Sequence, residues 1–90
     1  MHYTYMVRCQ DGTLYTGYTT NLERRLLEHN QSVKGAKYTR ARRPVQLTYV
    51  ERFNSRSEAC KRESQIKKMK RLEKERLIFE YQNLETLEKN

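Results

Sequence analysis

Two stretches of β-forming residues near the N-terminus, separated by one short glycine-containing turn, constrain the fold of this chain most strongly. Residues 2–9 and 13–19 are rich in tyrosine, threonine and valine, and Gln-Asp-Gly occupies positions 10–12 between them. A three-residue loop with Gly12 in the left-handed conformation is typical of a β-hairpin. The sequence therefore predicts that the fold begins with two antiparallel strands.

The loop length also predicts the register of the hairpin. With three residues in the loop, Val7 faces Tyr15 and Tyr5 faces Gly17. Because side chains alternate between the two faces of a strand, these four residues lie on one face of the sheet. Tyr5 and Tyr15 are thus expected to share a surface.

The segment from Leu22 to position 30 has the spacing of an amphipathic helix, and a Thr-Asn pair that can cap a helix precedes it. Leu22 and Leu26 are one turn apart and mark its apolar side. At about 100° per residue, Arg25 and His29 flank this apolar side, whereas Arg24 points away from it. Of the two adjacent arginines, we expect Arg25 to face inward.

The rest of the chain predicts one more strand and two more helices. Residues 31–44 form a basic connector with room for one helical turn, and residues 45–53 alternate as a third strand. One helix is expected to run from the cap at 54–55 to about Lys70, and another begins at about Leu72. The prediction is an α+β domain, with a three-stranded antiparallel sheet flanked by helices in the order β-β-α-β-α-α.

Ninety residues predict one domain over 1–90 with one compact core, and its last several residues are expected to fray. Cys9 and Cys60 do not form a zinc motif or a disulfide framework, which favours a reducing, cytoplasmic location. With no apolar run of about 18 residues, no membrane partner is expected. The net charge of +8 favours a polyanionic partner, nucleic acid first, although a generally basic solvated surface remains the alternative.

Glu63 lies within the inward stripe of the helix that follows the third strand, between Ala59 and Ile66. A carboxylate turned toward a core costs several kcal/mol unless it is paired, hydrogen-bonded or bound to a metal. Arg25 or His29, a hairpin tyrosine, or a divalent cation held with water could each compensate it. A purely structural Glu63–Arg25 ion pair stays open at this point.

Several spaced motifs together resemble the GIY-YIG nuclease family, specifically its small stand-alone bacterial members. Residues 14–17 read Leu-Tyr-Thr-Gly, with Arg25 eight positions and His29 twelve positions beyond the glycine. Residues 3–5 read Tyr-Thr-Tyr, which keeps the first-motif tyrosine but has a tyrosine in the glycine position. Glu63 is similar to the family's metal-binding glutamate, and the asparagine that several members carry further on has no clear equivalent.

The resemblance implies a metal-dependent DNA endonuclease or nickase, with a role for each motif residue. Glu63 would hold Mg²⁺ or Mn²⁺, and Arg25 would donate to the non-bridging phosphate oxygens. Tyr5 would position or deprotonate the attacking water, and Tyr15 would orient water or phosphate. His29 would hydrogen-bond Tyr5 or relay its proton. Because free tyrosine titrates near pH 10, a base role needs nearby positive charge to lower the pKa of Tyr5, and Arg25 and the metal could provide it.

The acid-free connector and the helix that carries Glu63 would form the nucleic-acid track, with a tyrosine available for stacking on a base. DNA is expected ahead of RNA, with selection by the structure of the substrate and a role in DNA repair or recombination. The residues expected to bind nucleic acid are Lys34, Lys37, Tyr38, Arg40, Arg42, Arg43 and Lys67.

Two other functions remain open from the sequence. Tyr3 in the glycine position and the missing asparagine favour a nucleic-acid-binding module of the same fold with weak or lost catalysis. The helical C-terminus is also compatible with a protein-interaction subunit.

Overall fold

The computed structural model describes the backbone of residues 1–89 and the side chains of residues 1–84. The predicted fraying of the last several residues stays a prediction, because the side chains of residues 85–90 lie outside this range. The described elements, in chain order, are β1 His2–Arg8, β2 Leu14–Thr19, α1 Leu22–Gln31, α2 Lys37–Arg40, β3 Gln46–Phe53, α3 Arg56–Lys67 and α4 Arg71–Lys89.

The three strands form one antiparallel sheet in the order β2-β1-β3, so the first strand is central. The predicted fold class and element order are confirmed, and the helical turn in the basic connector is the four-residue α2. The helix α3 ends at Lys67, a little before the predicted end near Lys70. None of the helices described is long and apolar enough to cross a membrane.

The register of the hairpin follows from its turn. Gly12 has φ 86°, and the amide of Cys9 donates to the carbonyl of Thr13 at 2.8 Å. Tyr5 consequently pairs with Gly17, as the sequence predicted. The left-handed turn residue therefore decides which side chains of the two strands meet.

The sheet carries an apolar layer on each face, rather than the single core that the sequence predicted. On one face Tyr5 and Val7 pack with Leu22 and Leu26 of α1. On the other, Met6 packs with residues of α3 and α4, among them Ile66 and Ile78. Because β1 is covered on both sides, its alternating side chains enter separate layers. Tyr5 thereby faces α1 rather than α3 and α4.

Candidate active site

A buried chain of hydrogen bonds connects the central strand to the first helix and to the connector. The Tyr5 hydroxyl lies 2.6 Å from Nε2 of His29, and both side chains are almost fully buried. Nδ1 of His29 lies 2.8 Å from the hydroxyl of Thr39 in α2, which donates to the carbonyl of Ala36 at 3.0 Å. The predicted Tyr5–His29 contact is formed.

Tyr15 lies against the same histidine. Its ring packs edge-on to His29 with ring centroids 5.2 Å apart, and the Tyr5 ring does so at 5.8 Å. The two motif tyrosines therefore share a face of the sheet, as their register predicted. Tyr15 is only half-buried, so it forms the outer side of the pair.

Arg25 faces the site, whereas Arg24 points to solvent. The guanidinium of Arg25 donates to Oε1 of Glu28 and to the carbonyl of Lys34, both at 2.9 Å. Its side chain is 24% exposed, against 64% for Arg24. The alternative of a Glu63–Arg25 ion pair is wrong, because Glu28 lies one turn away on the same helix and accepts from Arg25 instead.

Burial controls the charge of the central pair. It raises the pKa of Tyr5 to about 12, against the lowering effect of the Arg25 guanidinium. Burial, followed by the positive charge of Arg25, lowers the pKa of His29 to about 4. Desolvation therefore outweighs the positive charge of Arg25 at Tyr5, and a lowering of the Tyr5 pKa by Arg25 together with a metal stays a prediction. Both groups are neutral near pH 7.

Glu63 lies on α3, where its side chain is 20% exposed and accepts from the Lys67 ammonium at 3.0 Å. Its negative charge contributes to the raised pKa of Tyr5, so its field reaches the site. Among the described residues, no group of three or more acidic, cysteine or histidine side chains could enclose a metal ion. A lone, partly exposed carboxylate fits a hard cation such as Mg²⁺, which takes its other ligands from water and phosphate.

Some basic side chains of the predicted nucleic-acid track already have partners in the structure, and others form no ion pair with a described side chain. Arg43 donates to the carbonyls of Glu28, His29 and Ser32 at the end of α1, so it caps that helix. Lys34 and Lys37 form no ion pair with any side chain that the structure describes.

Three other members of the predicted track also have partners. Arg42 pairs with Asp11 at 3.1 Å. Arg40 reaches the carbonyl of Val33 at 3.4 Å, and Lys67 holds Glu63. These contacts are exposed, so phosphate can compete for them.

Tyr38 already has neighbours on its ring. It stacks on Tyr15 with centroids 6.2 Å apart, and the Arg42 guanidinium lies 3.9 Å from its centroid. Stacking on a nucleobase stays a prediction, and it requires one of these contacts to open.

Sequence reasoning missed Thr39 and the capping role of Arg43. Both lie in a connector where polar and basic residues are common, and no local spacing distinguishes them. It also missed Gly35, where an added Cβ would lie 2.5 Å from the Glu28 carbonyl oxygen. These roles arise from the packing of the connector against α1.

The sequence matches the GIY-YIG catalytic domain over residues 1–76. The chain belongs to the GIY-YIG family. A UPF0213 protein of Natronomonas pharaonis is 57% identical over 77 residues, which cover 86% of this chain and 89% of the relative. One from Staphylococcus saprophyticus is 54% identical over 88% of this chain and 95% of its own length.

Two solved structures are similar to this chain. The solution NMR structure of UPF0213 protein BH0048 from Bacillus halodurans is 47% identical, with a TM-score of 0.56, over 86% of this chain and 81% of that one. The solution NMR structure of EF2693 from E. faecalis is 46% identical, with the same TM-score, over 99% of this chain and 88% of that one. The GIY-YIG fold is thus common to this chain and its small relatives.

Proposed function

We propose that this GIY-YIG protein is a metal-dependent DNA endonuclease or nickase that hydrolyses phosphodiester bonds. The observation that carries the proposal is the 2.6 Å hydrogen bond between Tyr5 and His29. Membership of a nuclease family supports it, as does the guanidinium of Arg25 on the same face of the sheet. Cytoplasmic location and a role in repair or recombination are part of the same proposal.

The neutral Tyr5–His29 pair supports a proton relay. The oxygen of an attacking water forms a bond to phosphorus while the bond from phosphorus to the 3′ oxygen breaks. The Tyr5 oxygen accepts the proton that the water loses, and the Tyr5 hydroxyl proton moves to Nε2 of His29. The leaving 3′ oxygen is protonated by solvent, so the products are a 5′-phosphate and a 3′-hydroxyl.

Arg25 supplies the charge that this step needs. Its guanidinium donates to non-bridging phosphate oxygens, and such a donor typically contributes about 10²- to 10³-fold in rate. The bound phosphate also brings negative charge near His29, which favours the imidazolium formed in the relay. Tyr15, on the outer side of the pair, orients the water or the phosphate.

Glu63 is the residue that would hold Mg²⁺ or Mn²⁺. When bound, a divalent cation would supply Lewis-acid polarisation of the phosphate and stabilise the departing oxygen. Lys67, which pairs with Glu63 in this structure, would then be free to bind a neighbouring phosphate as part of the nucleic-acid track.

Lys34 and Lys37 are the track residues best placed to bind phosphate, since they have no ion-pair partner to release. Contacts of this kind hold the backbone without reading bases. Selection among substrates would then come from DNA structure, with branched or single-stranded forms as the candidates.

The test is a nicking assay with supercoiled, single-stranded and branched DNA at low salt, with Mg²⁺, with Mn²⁺ and with chelator. Glu63→Gln is compared with Glu80→Gln, which changes an exposed glutamate on α4. We expect cutting that requires metal, disappears in Glu63→Gln and persists in Glu80→Gln. Folded protein that binds these DNAs and never cuts them would refute the proposal that this protein is a nuclease.

That last outcome would favour a binding module of the same fold. The raised pKa of Tyr5 specifically favours this second candidate, because a buried phenol with a pKa of about 12 is a poor base by itself. Binding that persists in chelator, in wild type and in Glu63→Gln alike, would support it.

A further inference from the structure

Thr39 connects the basic connector to the Tyr5–His29 pair. It is fully buried, and its hydroxyl contacts two groups: Nδ1 of His29 at 2.8 Å and the carbonyl of Ala36 at 3.0 Å. Among the proposed relay residues and their partners, it alone comes from α2. The number of hydrogens on Thr39 and His29 therefore limits which atom donates in each of these bonds.

Counting hydrogens gives one set of directions in which every group is paired. A threonine hydroxyl has one hydrogen, and where it donates to the Ala36 carbonyl, which can only accept, the hydroxyl oxygen is left as an acceptor toward His29. The bond between Thr39 and His29 must then be donated by Nδ1–H of the imidazole. A neutral imidazole has one N–H, so Nε2 is left as an acceptor, and the Tyr5 hydroxyl donates to it.

We propose that Thr39 is a positioning residue that holds His29 in the Nδ1-protonated tautomer, with the bare Nε2 aimed at the Tyr5 hydroxyl. The inference rests on the proposed function and names a residue that this function requires. In the other tautomer, Nε2–H would donate to the Tyr5 oxygen. His29 could then accept no proton from Tyr5, and the relay would stop.

The threonine hydroxyl is well suited to this task because it is an acceptor whose own hydrogen is already committed. Ala36 keeps a second donor, the amide of Arg40 at 3.0 Å, so removal of the hydroxyl leaves that carbonyl paired. The group that loses its only partner is Nδ1–H of His29. A Thr39 variant therefore acts on the histidine and not on the cap of α2.

The experiment records long-range ¹H–¹⁵N spectra of the His29 ring in the full-length wild type, Thr39→Val and Thr39→Ser at pH 7. Valine keeps the shape and removes the hydroxyl, whereas serine keeps the hydroxyl. We expect Nδ1–H in wild type and in Thr39→Ser, and a shift toward Nε2–H in Thr39→Val. Backbone amide spectra confirm that each variant is folded.

Nicking rates give the second readout. Thr39→Val should lower kcat by about 10²-fold with little change in KM, and Thr39→Ser should restore most of the rate. An Nε2–H tautomer in wild type, or an unchanged tautomer in Thr39→Val, would overturn the role of Thr39. Because the ring spectra need neither DNA nor metal, they decide this role even for a protein that cuts nothing.

Discussion

Gly17 lies directly opposite Tyr5 in the ladder between β1 and β2, and a Cβ at position 17 would lie 2.5 Å from the Tyr5 hydroxyl oxygen. The same Cβ would lie 2.7 Å from the ring carbon that bears the hydroxyl. The tyrosine ring therefore occupies the space above the glycine. This gives a physical reason for glycine in the second motif, because the missing side chain lets Tyr5 reach His29.

Gly17→Ala should displace Tyr5 and break its bond to His29. We expect an unfolding free energy lower by about 1–3 kcal/mol, from overpacking, and a loss of nicking activity larger than this change in stability explains. Denaturant unfolding and the nicking assay measure the two effects. Full activity in a folded Gly17→Ala protein would show that Tyr5 need not occupy this position.

His29 should make the protein sensitive to acid. Its pKa is lowered from 6.5 to about 4 in the folded state, so its contribution to stability is present above pH 6.5 and declines as pH falls toward 4. The shift corresponds to about 3 kcal/mol at most. Urea unfolding at pH 7 and pH 4 should show a smaller loss in His29→Gln than in wild type. Equal losses in the two proteins would contradict the prediction.

The bond between Arg8 and Glu75 should attach α4 to the central strand. Arg8 donates at 2.9 Å and 2.6 Å to the two carboxylate oxygens, and this contact does most to lower the pKa of Glu75 to about 2. The contribution is present above the ordinary pKa near 4.5 and disappears as pH falls through 2. Glu75→Gln should cost about 1 kcal/mol at pH 7, since the pair is about one-third exposed.

Thermal unfolding of Glu75→Gln and wild type at pH 7 and pH 2 measures how much the Arg8–Glu75 contact contributes to stability. The difference in Tm should be clear at pH 7 and should shrink at pH 2. Glu80→Gln is the matched control, because it removes an exposed charge from the same helix without that contact. A difference that stays constant across this range would assign the effect to packing.

Arg43 should act on stability, because its guanidinium caps the end of α1. Arg43→Lys keeps the charge and loses the planar set of donors. We expect it to lower the unfolding free energy by about 1–2 kcal/mol. Denaturant unfolding measures this change. An unchanged stability would mean that water replaces the cap at no cost.

Lys34 and Lys37 should contribute to DNA binding. The double variant Lys34→Ser/Lys37→Ser should weaken DNA binding similarly across sequences and reduce the slope of log K against log salt by about 2. Its stability should stay near that of wild type, because neither lysine has an ion-pair partner among the described side chains. Fluorescence anisotropy over a salt series measures the slope, with Lys74→Ser on α4 as control.

Local patterns in the sequence determined most of the fold. The glycine turn at position 12 set the hairpin register, and the leucine spacing in α1 directed Arg25 and His29 inward, because both rules depend only on backbone geometry. The motif spacing then predicted the family, and the match over residues 1–76 confirms it.

Other features depended on which of several possible contacts the folded chain forms. Lys67, one turn further along α3, pairs with Glu63 in place of Arg25, although a glutamate four residues before a lysine is a local signal that the sequence interpretation overlooked. The sequence also could not show that burial would raise the pKa of Tyr5 against the effect of Arg25, because burial depends on how the layers pack. Electrostatics was therefore the weakest part of the sequence interpretation.

The sequence by itself determined the strands, the helices and the faces on which the motif residues lie, because turn type and helical period are local properties. Apart from the Tyr5–His29 bond, which the family resemblance implied, only the tertiary structure decided what those residues touch. It brought Thr39 against His29 from ten residues away and committed Arg43 to the end of α1. Such contacts depend on how the connector packs against the rest of the protein, and that packing depends on residues throughout the chain.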